Sequence, residues 1–262
     1  MPAIHNLLEP SKKKMFDISC NIVFVTFGNE KFKNSRERIV KSAENLGIFN
    51  KCHYETEDIV DDLEFKNALK NKEFNDVFSM SRGFGYWLWK PYVIYKNLKS
   101  LNDGDILVYS DAGIVIQTTN PILKLYNKQK FYNYFNQIYN NKGCLSFSTG
   151  PFPECKLNKG ETLQYFNVYN NTSILKSDQL AAGFHIIRKC DFTTSVYNKW
   201  WTIAKENPGL FDDCNSRFEN HIDFCENRHD QGVWSLLCKT MNIPLCKDNQ
   251  NKRPFKFASV KN

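Results

Sequence analysis

A chain of 262 residues with 42% apolar residues and a formal net charge of +7 is long enough to bury a large core and too apolar to be disordered. The nine cysteines, at 20, 52, 144, 155, 190, 214, 225, 238 and 246, are odd in number and include no close C-x-x-C pair, so they suggest neither a zinc knuckle nor a redox pair and read as reduced thiols of a cytoplasmic protein. No secretory hydrophobic region opens the sequence and no apolar run approaches the ~20 residues of a spanning helix, so no transmembrane segment is expected, and the scattered lysines suit anionic ligands in general.

Residues 1–18, with a small cluster at Lys12 to Lys14, are polar and basic without periodicity and read as an N-terminal extension, leaving 19–262 as one domain. Asn21 to Val25 is a continuous apolar run closed by Thr26-Phe27-Gly28-Asn29, the pattern of a buried strand ending in a turn. Ile39, Ala43 and Leu46 recur at helical spacing before Gly47, which predicts an amphipathic helix with a glycine stop. A second strand is expected at Cys52 to Thr56 and two short helices between Asp61 and Met80. Pro91 is placed at a helical first position, with Ile94, Leu98 and Leu101 on one face. After the turn Asn102-Asp103-Gly104, residues 105–109 form the next buried strand, ending at Asp111. Asn120-Pro121 opens a helical region rich in Tyr and Phe, Cys144 to Phe147 read as a strand, and Gly150 to Leu175 as a long loop or a short strand pair. Gly183 to Ile187 is a further strand, Val196, Trp200 and Ile203 mark a helix, and a last helix starts near Asp230. Alternating strands and helices of this kind predict an α/β fold with a mainly parallel, twisted sheet flanked by helices.

Four segments carry residues able to do chemistry. Asp111 ends a buried strand, where it either binds a divalent cation or a ribose or simply caps a turn before Gly113. The run from Arg82 to Pro91 has a cation at each end, Arg82 and Lys90, and aromatics between them, among them Trp87; it suits stacking on a base and pairing with a diphosphate, or equally a packed core. In Arg228-His229-Asp230-Gln231, His229 is a candidate metal ligand and Asp230 a candidate general base or nucleophile, with helix capping as the alternative for Asp230. Gln179 and Ala182-Gly183 open a strand where a sugar ring can approach the backbone, or where a β-bulge sits.

The order of these segments resembles a group of GT-A fold glycosyltransferases from polysaccharide loci and from large DNA viruses that glycosylate their own capsids. The resemblance covers most of residues 20 to 245 and is carried by Thr26 to Asn29, Arg82 to Pro91, Tyr109-Ser110-Asp111-Ala112-Gly113, Gln179 to Phe184 and Arg228 to Gln231. It implies a Rossmann-like sheet and transfer of a sugar from a nucleoside-diphosphate sugar, usually a UDP-sugar, to a hydroxyl of a glycan or glycoprotein acceptor, with no nucleic-acid partner. By the same resemblance Thr26, Phe27 and Gly28 hold the nucleoside, and Arg82, Trp87, Lys90, Ser110, Asp111, Ala112 and Gly113 the rest of the donor. Gln179, Ala182, Gly183, His229 and Gln231 border the sugar, and Asp230 is the catalytic residue. A Mn²⁺ or Mg²⁺ ion is expected at Asp111 with His229 as a further ligand, because Gly113 stands where GT-A enzymes carry the second aspartate of Asp-x-Asp. That departure leaves a second reading, a catalytically inactive sugar-nucleotide or glycan binding module on the same fold.

Overall fold

A computed structural model describes residues 19–257; the expected extension over residues 1–18 lies outside the described residues. In chain order the elements are β1 (Ile22–Phe27), α1 (Lys33–Leu46), β2 (Lys51–Glu55), α2 (Leu63–Leu69), α3 (Lys72–Phe78), α4 (Gly83–Tyr86), α5 (Trp89–Lys99), β3 (Ile106–Ser110), β4 (Ile114–Ile116) and α6 (Pro121–Tyr139). They continue with β5 (Ser148–Pro153), α7 (Glu154–Leu157), α8 (Gly160–Tyr165), α9 (Thr172–Leu175), β6 (Asp178–Leu180), β7 (Phe184–Arg188), α10 (Asp191–Glu206), α11 (His229–Thr240) and β8 (Phe255–Phe257).

The central sheet has the order β2-β1-β3-β7, with β1 parallel to both of its neighbours and β7 antiparallel to β3. β1 and β3 are buried along their whole length, and their side chains alternate between two cores. Val23, Val25, Phe27, Leu107 and Tyr109 face one core with side chains of α5, α10 and α11, while Ile22, Phe24, Ile106 and Val108 face the other with those of α1 and α6. The result is the expected mixed α/β architecture, a mostly parallel sheet covered by helices on both faces. Each fully buried aliphatic or phenyl side chain of these strands contributes about 1.5–3 kcal/mol, so the sheet is a firm base for the loops at its edges.

Several local expectations hold: Ile39, Ala43 and Leu46 are the buried face of α1, and Gly47 closes it in the left-handed conformation at φ 68°. Others shift. Pro91 is the third residue of α5 and not the first, since Trp89 and Lys90 already lie in the helix. Residues 144–147 make only isolated bridges, and the strand begins at Ser148. Between Gly150 and Leu175 the long-loop alternative gives way to three short helices, while the short strand pair is met in part by β5, which runs to Pro153 and pairs with β6. The irregular pairing lies between β5 and β6, so the segment at Gly183 is not a bulge of that pair.

One turn has no counterpart in the sequence reading. From Gly83 to Trp87 five consecutive residues have φ between 50° and 78°, a single left-handed helical turn closed by Tyr86 N–H to Arg82 O at 2.8 Å. Phe84, Tyr86 and Trp87 carry Cβ atoms in that conformation at about 1–2 kcal/mol each, and the two glycines lighten the rest.

Candidate active site

β1 and β3 run parallel, so Thr26 to Gly28 and Asp111 emerge at the same edge of the sheet. Because β7 runs the other way, its beginning arrives there too: Ser110 pairs with Phe184, and the Asp111 N–H donates to Gly183 O at 2.8 Å. Carboxyl ends of strands at such an edge are where open α/β sheets hold ligands.

Lys90, 3% exposed, joins the two acidic motifs. Its Nζ lies 3.1 Å from Asp111 Oδ1 and 2.6 Å from Asp230 Oδ2, and Tyr109 Oη donates to Asp111 Oδ1 at 2.7 Å. Two carboxylates that stand 119 positions apart in the chain therefore flank one ammonium. Asp230 is the second residue of α11 and makes no side-chain cap; its carboxylate is spent on Lys90, so the capping alternative does not hold. Burial opposes the Lys90 charge, but Asp111 and Asp230 together outweigh it and hold the ammonium above its ordinary range. Burial likewise pushes the Asp230 carboxyl up to about 6, against the pull of Lys90 and with the help of the Asp111 charge. Burial, reinforced by Asp111, raises the Tyr109 phenol well above its usual value, so it stays a donor.

His229 sits beside this centre in a strained conformation, φ 50°. Its Nδ1 bonds Phe211 O at 2.7 Å and therefore carries the proton, which leaves Nε2 a lone pair that is buried and without a hydrogen-bond partner. Burial lowers its pKa, so the ring is neutral near pH 7. The rings of Tyr86 and Trp87 pack against it at 5.2 and 5.1 Å, which explains what the left-handed turn accomplishes. The carboxylate nearest Nε2 is Asp213, at 3.7 Å, and Asp213 is also bound at 2.6 Å by Arg82. His229 and Asp111 thus have different partners.

The remaining expected residues have distinct environments. Thr26 is fully buried with its Oγ1 unpaired, Phe27 stacks on Trp89 at 3.8 Å, and Gly28 O accepts from Arg36 Nη1. Ser110 is buried, Ala112 O accepts from Arg38 at 3.1 Å, and Gly113 is exposed with open space where a Cβ would stand. Ala182 and Gly183 are buried at the start of β7. Gln231 Nε2 donates to Gln179 Oε1 at 2.7 Å, and Gln179 reaches the fully buried Glu154. A cleft of about 590 Å³, lined in part by Asp76, Lys159, Asp212, Cys214 and Arg217, adjoins the stretch that carries Asp213.

Sequence reasoning missed Arg36, Asp213 and Glu154, and it took in Tyr109 only as part of the segment through Gly113, with no role of its own. Arg36 had a legible signal: it is a guanidinium on the same helical stripe as Ile39, Ala43 and Leu46, and 6% exposed. Tyr109 reads as strand core, and nothing local distinguishes Asp213 or Glu154.

No family model matches the chain, and no curated protein matches it. Among solved structures it is similar to a glycosyltransferase involved in the glycosylation of the major capsid of PBCV-1, at 12% identity over 72% of this chain and 69% of that one, TM-score 0.41. It is also similar to mouse xyloside xylosyltransferase 1, at 9% identity over 87% and 84%, TM-score 0.43. A third likeness is to 4-diphosphocytidyl-2C-methyl-D-erythritol synthase from Anaerococcus prevotii, at 9% identity over 89% and 91%, TM-score 0.39. Likenesses so distant leave the chemistry to be read from this chain's own side chains.

Proposed function

We propose that the protein transfers a sugar from a nucleoside-diphosphate sugar, UDP-linked, to a hydroxyl of a glycan acceptor. The observation that supports this most is the buried Lys90 ammonium between Asp111 and Asp230 at the carboxyl edge of the sheet. Leaving diphosphate gains negative charge as the glycosidic bond to phosphate breaks, and a fixed, dry cation stabilises that charge more in the transition state than in the ground state. Asp230 takes the proton of the attacking acceptor hydroxyl as the new glycosidic bond forms. A carboxyl at about 6 is ionised at neutral pH yet more basic than an ordinary aspartate, which suits a general base. Tyr109 orients Asp111, and the unpaired His229 Nε2 accepts from a donor hydroxyl.

The expected divalent ion at Asp111 and His229 meets an arrangement that does not favour it. Asp111 already faces an ammonium at 3.1 Å and a phenol at 2.7 Å, and His229 faces Asp213, itself paired with Arg82. A dication would share each carboxylate with a cation held in place, so Lys90 is the positive group beside the leaving diphosphate. Release of UDP from a panel of UDP-sugars, with glycan acceptors present, tests the proposal. Turnover with at least one donor is the expected result; tight UDP binding without turnover of any donor refutes it and favours a binding module.

A further inference from the structure

A second cluster lies away from Lys90, in the irregular stretch of residues 211–228 that leads into α11. That stretch exceeds the ~12–15 residues that loops without regular structure usually reach. Phe211 anchors its start in the core, but the apolar side chains of its middle do not hold it: Ile222 is 94% and Phe218 51% exposed. It is nevertheless laid across residues 154–161 by defined bonds, Gly160 N–H to Asn220 Oδ1 at 2.7 Å, Glu161 N–H to Ser216 Oγ at 2.8 Å and Cys225 N–H to Lys156 O at 2.9 Å. Where the loop crosses α7, one ligand atom from each of Cys155, His221 and Asp223 lies within 4.8 Å of the others, the one such group among the described residues.

We infer that these three side chains form a zinc site, the Cys155 thiolate, the His221 imidazole and the Asp223 carboxylate binding Zn²⁺ with a water in the fourth position. Sulfur, nitrogen and oxygen at ~2.0–2.3 Å from a tetrahedral ion are ~3.3–3.8 Å apart, so closure by about 1 Å completes the geometry. The chemistry of the donors selects the metal: a thiolate with an imidazole suits zinc and disfavours magnesium, calcium or manganese. His221 Nδ1 accepts from the Asp223 N–H at 3.1 Å and lies 3.7 Å from Asp223 Oδ2, so it is the unprotonated nitrogen, and zinc there takes the place of that hydrogen bond on its one lone pair. Burial and the Asp223 charge raise the Cys155 thiol, so binding releases its proton to solvent. Cys225 turns its Sγ to the Asp223 carbonyl at 3.4 Å instead of into the group. The ion pins the loop five residues before Arg228, where the chain bends into α11, which supplies the anchoring its exposed apolar residues do not.

Cobalt is the probe, added to the chelator-stripped, dialysed full chain. One equivalent of Co²⁺ is expected to give a thiolate charge-transfer band with tetrahedral d–d absorption, and Zn²⁺ to displace it. Cys155→Ser removes the charge-transfer band, and His221→Asn and Asp223→Asn each weaken binding at least tenfold; the side chain of Asp223 is 57% exposed, so that variant folds even if the buried cysteine variant does not. Asp111→Asn leaves the titration unchanged. The site is overturned if the wild type shows no thiolate band, if the band persists in Cys155→Ser, or if Asp223→Asn binds cobalt as tightly as the wild type. The titration does not depend on sugar transfer, so either proposal can fail alone.

Discussion

Lys90→Met removes the central charge while keeping most of the side chain's length, and its cost follows from burial. Asp230 is 7% exposed on its side chain and has no other cation within reach among the described residues, whereas Asp111, at 28%, keeps some water. Removing one member of such a buried pair leaves an uncompensated charge, a loss of about 3–5 kcal/mol in stability. The loss depends on pH with a definite sign. The folded-state pKa of Asp230, about 6, is raised above its ordinary 3.8, so its contribution to stability is fully present below about 4 and is lost as pH rises through about 6. In the variant the lowering influence of Lys90 is gone, and the loss extends to higher pH. Urea unfolding followed by tryptophan fluorescence should therefore show the full deficit at pH 8 and less than half of it at pH 5. A deficit equal at the two pH values, or none at pH 8, would refute the claim that Asp230 depends on this ammonium.

The chemistry gives further expectations. Asp230→Asn should lower UDP release by at least ~10²-fold while UDP affinity changes little, since general-base contributions are of that size; isothermal titration with UDP beside the turnover assay checks both halves. In the wild type, turnover should rise with pH through about 6 as Asp230 ionises, and a pH profile flat between 5 and 7 would count against it as the base. Lys90→Gln should open the space between Asp111 and Asp230 to a dication, so that this variant, unlike the wild type, binds Mn²⁺ measurably in calorimetry. Gly85→Ala places a Cβ 2.5 Å from the Phe78 ring and 2.7 Å from Phe78 O at a φ of 78°, which should cost about 2–4 kcal/mol in denaturant unfolding, whereas Gly113→Ala, into open space, should be nearly neutral.

Most of the frame was legible because its signals are local and periodic. The continuous apolar runs at residues 22–25 and 106–109 and the stripe through Ile39, Ala43 and Leu46 report burial directly. The convergence of Lys90, Asp111 and Asp230 was legible only through motif order, since nothing in their spacing tells which carboxylate meets which cation. The three short helices between residues 154 and 175 escaped because each is too short to show a period. The left-handed turn escaped for a different reason: Phe84, Tyr86 and Trp87 are held against their own backbone preference by packing on Phe27, Phe78 and His229, which no local propensity encodes.

The reversed direction of β7 decides which parts of the chain meet Asp111 at the edge of the sheet. A fourth strand running with β3 would have delivered residues 188–190 beside Asp111; running against it, β7 delivers Ala182 and Gly183, and behind them the segment from Ser177 that Lys239 and Glu154 tether to α11. Insertions between α9 and β7 would therefore alter the sheet edge beside Asp111 on the side away from β1, leaving Thr26 to Gly28 in place.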